Sequence, residues 1–165
     1  MTGAKQAVLR ETSNLRIVAL ALFFGLFAIA AETVLDVPMR LPGHRAFPGA
    51  LALLMFTEAF TPLMLLGLAA LVSSFLVMAG GADPLTVVLW VSAVVAILGL
   101  YRTRLAKTVF FFAIGGLVYG GLRYLILSHG FHHTPELVRL SGHLGFGALA
   151  GLISYGTCRL TLPRR

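Results

Sequence analysis

Residues 46–79 read AFPGALALLMFTEAFTPLMLLGLAALVSSFLVMA, a stretch with a single ionisable side chain, Glu58. An apolar helix needs about 20 residues to cross the roughly 30 Å hydrocarbon layer of a bilayer, so this run is too long for one crossing. Its one break is Thr57-Glu58-Ala59-Phe60-Thr61-Pro62. Two helices are therefore expected, at 46–61 and 62–79, with Pro62 in a first turn, where its missing N–H costs nothing.

The rest of the chain repeats the pattern. Further apolar segments are expected at 15–37, 85–101, 108–127 and 140–160, and Gly80-Gly81-Ala82-Asp83-Pro84 marks a clear turn before the fourth helix. Across all 165 residues, 58% are hydrophobic, 12% are charged and the mean hydropathy is +0.92. Soluble domains carry about 25% charge, so a water-soluble globular enzyme is excluded. The expected fold is an all-α, polytopic integral membrane protein, a six-transmembrane-helix bundle forming one domain over 1–165. The first segment ends in Ala28-Ile29-Ala30, a small-x-small pattern like that of signal cleavage, and is read as a retained helix.

Charge then suggests an orientation. The net charge is +7, but most Lys and Arg flank apolar runs, where they set topology and meet anionic lipid; nucleic-acid binding is discarded. In a six-span reading, Lys5, Arg10, Arg16, Arg102, Arg104, Lys107, Arg159, Arg164 and Arg165 fall on one side, and Arg40, Arg45, Arg123 and Arg139 on the other. The first side is expected to be cytoplasmic, which puts both termini inside an inner membrane. The single cysteine, Cys158, forms no internal disulfide, and no Cys/His spacing makes a structural zinc site.

Small residues crowd the last two helices: Gly115, Gly116, Gly120 and Gly121 on the fifth, and Gly142, Gly145, Gly147, Ala148 and Gly151 on the sixth. Gly116 with Gly120, and Gly147 with Gly151, have the GxxxG spacing that lets helix backbones approach closely. Packing within one bundle is the expected use.

Polar residues gather on the outer side. The connection from Asp36 to Gly49 holds Arg40, His44 and Arg45 among three prolines and two glycines, a stiff segment whose guanidinium forks suit a carboxylate or phosphate; the alternative is contact with lipid headgroups. A second cluster, His129-Gly130-Phe131-His132-His133-Thr134-Pro135-Glu136, is followed by Arg139 and His143. Its His-x-x-His-His spacing resembles one histidine box of membrane di-iron desaturases, but the chain has five histidines in all and no second box. A single Zn²⁺, Ni²⁺ or Co²⁺ held by three or four of His44, His129, His132, His133, Glu136 and His143 is an open alternative, as is a solvated connector. Within the spans, Glu32 and Asp36 share a face of the first helix, and Arg123 is expected as the partner of either or as a wall of a ligand cavity. Glu58 has no obvious basic neighbour.

Six helices in a short chain, cytoplasmic ends, a structured outer loop and the small-residue helix Ser141-Gly142-His143-Leu144-Gly145-Phe146-Gly147-Ala148-Leu149-Ala150-Gly151 resemble the substrate-binding S components of energy-coupling factor (ECF) transporters. The resemblance implies capture of a small nutrient from outside, then docking on a transmembrane coupling subunit driven by two ATPases. It also implies that Ala21 and Gly25, a small-xxx-small step on the first helix, meet the coupling subunit. Arg40, His44, Arg45, Arg123, His129, His132, His133 and His143 would form the pool of ligand contacts. Metal-specific members of that group carry a histidine beside the starting methionine, whereas this chain begins Met1-Thr2-Gly3. With Arg123 and Arg139 adding to a positive outer mouth, an organic anion is the preferred ligand and no cofactor is expected. No Walker A sequence is present, so ATP hydrolysis would belong to partners. The competing reading is a small anchor subunit of a larger membrane complex, its glycine-rich helices fitted to a foreign chain. No catalytic constellation can be defended from spacing, and the chain is not read as an enzyme.

Overall fold

The computed structural model describes residues 15–30, 45–57, 59–80, 82–103, 108–127 and 137–161. Among them are six helices and no strand: α1 (Leu15–Ala30), α2 (Ala46–Phe56), α3 (Pro62–Gly80), α4 (Leu85–Tyr101), α5 (Val109–Leu127) and α6 (Leu137–Thr161). Three stretches, Pro62–Ala79, Val109–Leu127 and Leu137–Leu160, are long and apolar enough to cross a membrane; α1, α2 and α4 are shorter apolar helices. Large apolar side chains such as Leu63, Leu71, Met78, Val95, Phe110 and Leu160 face outward. An apolar exterior of this kind, together with the three long helices, suggests a membrane protein.

The helix expected at 46–61 stops at Phe56, and the reason lies in its last carbonyls. A helix leaves four terminal carbonyls without intrahelical partners, a serious cost where no water can reach them. Here the Thr57 hydroxyl donates to Leu53 O at 2.9 Å and the Thr57 N–H donates to Leu54 O at 3.3 Å. The Cys158 thiol of α6 donates to Met55 O at 3.6 Å, and the Ala59 N–H donates to Phe56 O at 3.0 Å. All four carbonyls are met by protein groups, so the helix ends inside the bundle. At about 1.5 Å per residue, α2 is about 16 Å long, half of the hydrocarbon thickness.

That short helix is also the most enclosed element, buried at every position except Phe47 and Met55. A helix that is apolar all round belongs in an interior. Along α6, Ser154 Oγ lies 3.5 Å from Leu51 O and Cys158 follows beside Met55, so α2 and α6 run parallel. The contacting pairs α4–α5 and α5–α6 are antiparallel. Tyr101 of α4 stacks edge-on to Phe111 of α5 at 5.6 Å, and α5 crosses α6 through its glycines. A Cβ on Gly116 would strike the Gly147 carbonyl, one on Gly120 the His143 carbonyl, and one on Gly151 the Phe112 carbonyl. Thus α2, α4 and α6 start at one end of the bundle, and α5 finishes there.

Aromatic rings fill the space between α1, α2 and α4. Phe24 lies edge-on to Phe56 at 5.0 Å and to Trp90 at 6.4 Å, and Phe60, beyond the α2 break, stacks on Phe56 at 5.9 Å. The α3–α4 turn is held by Asp83, whose Oδ1 accepts the Leu85 N–H at 2.8 Å while its carbonyl accepts the Thr86 N–H. Helix α6 begins at Leu137, earlier than the expected 140. Arg139 ends the apolar periodicity in sequence, yet it sits exposed on the first turn with its charge at the rim and does not interrupt the helix. Of the segment expected at 15–37, the described part is Leu15–Ala30.

Candidate functional site

The end of the bundle where α2, α4 and α6 start brings together two of the expected site residues. Arg123 lies toward the end of α5 and is 9% exposed; His143 lies on the second turn of α6 and is 8% exposed. Their proximity follows from the glycine crossing, because Gly120, one turn before Arg123 and Tyr124, meets the His143 backbone directly. Tyr124 is buried, and its ring stands 5.6 Å from the imidazole in an edge-on arrangement. Nδ1 of His143 lies 2.8 Å from Arg139 O. A carbonyl can only accept, so Nδ1 carries a proton and donates it.

Among the described residues this end carries Arg45, Arg123 and Arg139, with Asp83 at the start of α4. Arg139 is exposed one turn before His143, and Arg45 is exposed immediately ahead of α2, whose N-terminus has no side-chain cap and no acidic residue in its first turn. Among the described residues the one acidic side chain is Asp83, engaged at the start of α4. A guanidinium donates five N–H bonds and accepts none, and helix N-termini likewise present donors.

Arg40, His44, His129, His132 and His133 lie outside the described residues, as do Glu32, Asp36, Glu58 and Glu136. Among the described residues no group of three or more His, Cys, Asp or Glu could hold a metal ion. Ala21 and Gly25 are half-buried on α1. A Cβ on Gly25 would lie 3.8 Å from Val72 Cγ2, so this step is turned toward α3. Sequence reasoning missed Tyr124. The available signal was its position one turn beyond Gly120, at the close crossing.

No family model matches the chain, and no curated protein or solved structure matches it.

Proposed function

We propose that the chain is a membrane substrate-capture subunit for uptake of a small, anionic nutrient, working in the manner of an ECF S component. The observation that carries this reading is the buried Arg123 beside Tyr124 and His143, at an end of the bundle whose other described basic residues, Arg139 and Arg45, are exposed. An anion entering from outside would meet the exposed Arg139 and Arg45 first. The α5 and α6 glycine faces are turned on each other, which favours this reading over an anchor whose glycine face receives a foreign chain.

In this proposal the six helices form one bundle in the cytoplasmic membrane, with α2 and the turn after it together making one passage. Both termini are cytoplasmic, and the Arg123 end faces out. The chain performs no catalytic step; a transmembrane coupling subunit and ATPases supply the energy. Native mass spectrometry of the protein, released gently from its own membranes, tests the reading. A discrete organic-anion mass should be retained by the wild type and lost from Arg123→Gln, since truncating a buried charge partner costs about 2–5 kcal/mol of binding. An empty chain held tightly in a large membrane complex would overturn the proposal in favour of the anchor.

A further inference from the structure

Side chains on a helix lean toward its N-terminus and cover the residue one turn back. In the last turn of α6 the exposed Arg159 does this over Tyr155, its guanidinium carbon 5.1 Å from the ring centroid. Tyr155 is half-buried, with its ring 5.7 Å from that of Phe112, a buried residue of α5. The ring is thus braced from behind and gives the guanidinium a seat. A cation–π contact is made by the charge of the guanidinium and needs none of its five N–H donors. Among the described residues Arg159 has no carboxylate partner; the one acidic side chain, Asp83, is at the start of α4, at the opposite end of the bundle. Beside this cation the helix surface is apolar. Leu152, two turns back, Ile153 and Leu160 are exposed, and a Cβ on Gly156 would meet nothing within 4 Å. In sequence, Arg102, Arg104 and Lys107 precede α5, Arg164 and Arg165 follow α6, and no Asp or Glu occurs after Glu136.

We infer that Arg159, seated on Tyr155, binds the phosphate of an anionic phospholipid in the leaflet at this end of the bundle, with the acyl chains lying along Leu152, Gly156 and Leu160. In the proposed topology that leaflet is the cytoplasmic one. The inference goes beyond the capture reading and does not depend on it; it rests on the membrane reading of the fold. The occupant is an amphiphile because donor and apolar face adjoin: a soluble anion would leave the leucines uncovered, and an uncharged lipid would leave the guanidinium unmet. Net negative charge is favoured because no described carboxylate offsets the basic residues here, and clusters of Lys and Arg beside membrane helices recognise anionic headgroups for that reason. Arg159 also complements the macrodipole at the α6 C-terminus, but a lysine would serve there equally well. What a seated, planar fork adds is paired hydrogen bonding to phosphate oxygens.

The test is native mass spectrometry of the protein released from nanodiscs that hold equal amounts of phosphatidylglycerol and phosphatidylcholine with matched acyl chains. The wild type should retain phosphatidylglycerol in preference. Arg159→Gln should lower the apparent affinity for it about fivefold, the weight of one basic residue at an anionic surface, and Arg159→Lys should restore only part of that loss. Arg102 is the comparator, exposed at the same end with no ring beneath it among the described residues; Arg102→Gln should stay close to wild type. Both arginines are exposed, so neither variant endangers the fold. Equal losses from Arg102→Gln and Arg159→Gln would show a diffuse charge layer and overturn the site. Full retention by Arg159→Lys would remove the need for a planar fork and overturn it as well. Release of the bound lipid by millimolar glycerol phosphate would assign the site to a soluble anion, and the absence of any preference between the two lipids would end the inference outright. The capture reading stands or falls separately, on an organic-anion mass lost from Arg123→Gln.

Discussion

Single atoms set the geometry where α5 meets α6. At Gly120 the absent Cβ is the space occupied by the His143 carbonyl; this keeps His143 and Tyr124 within ring contact. Gly120→Ala is expected to force the backbones apart, at a cost of about 1–3 kcal/mol, and to disturb any anion binding with it. Gly145, exposed on the same α6, has nothing within 4 Å of an added Cβ. Gly145→Ala should be neutral or stabilising by up to about 1 kcal/mol, the helix-propensity difference. Thermal unfolding of the two variants in one detergent checks the pair; equal losses of Tm would show that the crossing does not depend on the Gly120 site.

At the scale of the element, α2 is defined by how it ends. Thr57 supplies two of the four hydrogen bonds that close its carbonyls, and Cys158 supplies another across 103 residues of sequence separation. Thr57→Val keeps the shape and removes the hydroxyl, leaving Leu53 O without that donor. The expected loss is about 1–3 kcal/mol, with Thr57→Ser close to wild type. An unchanged unfolding midpoint for Thr57→Val would place the end of α2 in contact with water. A milder version applies to α4: Asp83→Ala removes the acceptor for the Leu85 N–H and should cost about 1 kcal/mol, whereas Asp83→Asn retains most of it. The lone cysteine finds its use here as well, as a weak donor in an apolar contact rather than as a reactive thiol.

For the whole molecule, the antiparallel series divides the charges between two ends. Arg102 and Arg159 are exposed at one, where Arg159 also lies 5.1 Å over the Tyr155 ring. Arg45 and Arg139 are exposed at the other. If the bundle crosses the membrane as proposed, cysteines introduced at Thr103 and at Ser141 in a Cys158→Ser background will react with an impermeant thiol reagent from opposite sides. Thr103→Cys should be modified only in inside-out vesicles and Ser141→Cys only in right-side-out vesicles. Modification of both from one side would contradict the transmembrane arrangement. Most of the polarity lies at the ends and most of the exposed apolar area lies on the flanks, the distribution that a bilayer rather than water would select.

By itself the sequence determined the helical class, the breaks at Pro62 and at Gly80-Gly81-Ala82-Asp83-Pro84, and the glycine spacing on α5 and α6, because run length, backbone-breaking residues and i, i+4 spacing act locally. It also singled out Arg123 and His143, since ionisable groups in apolar segments are costly wherever they sit. The end of α2 was not legible, because the donor for Met55 O is Cys158, a residue remote in sequence. Nor was the company of the buried Arg123. Only the tertiary structure decided that the α5 and α6 glycines face each other, that His143 therefore meets Tyr124, and that Trp90 is buried without an acceptor. Which side chains meet depends on how helices cross, and crossing is settled by packing over the whole bundle rather than by any one segment.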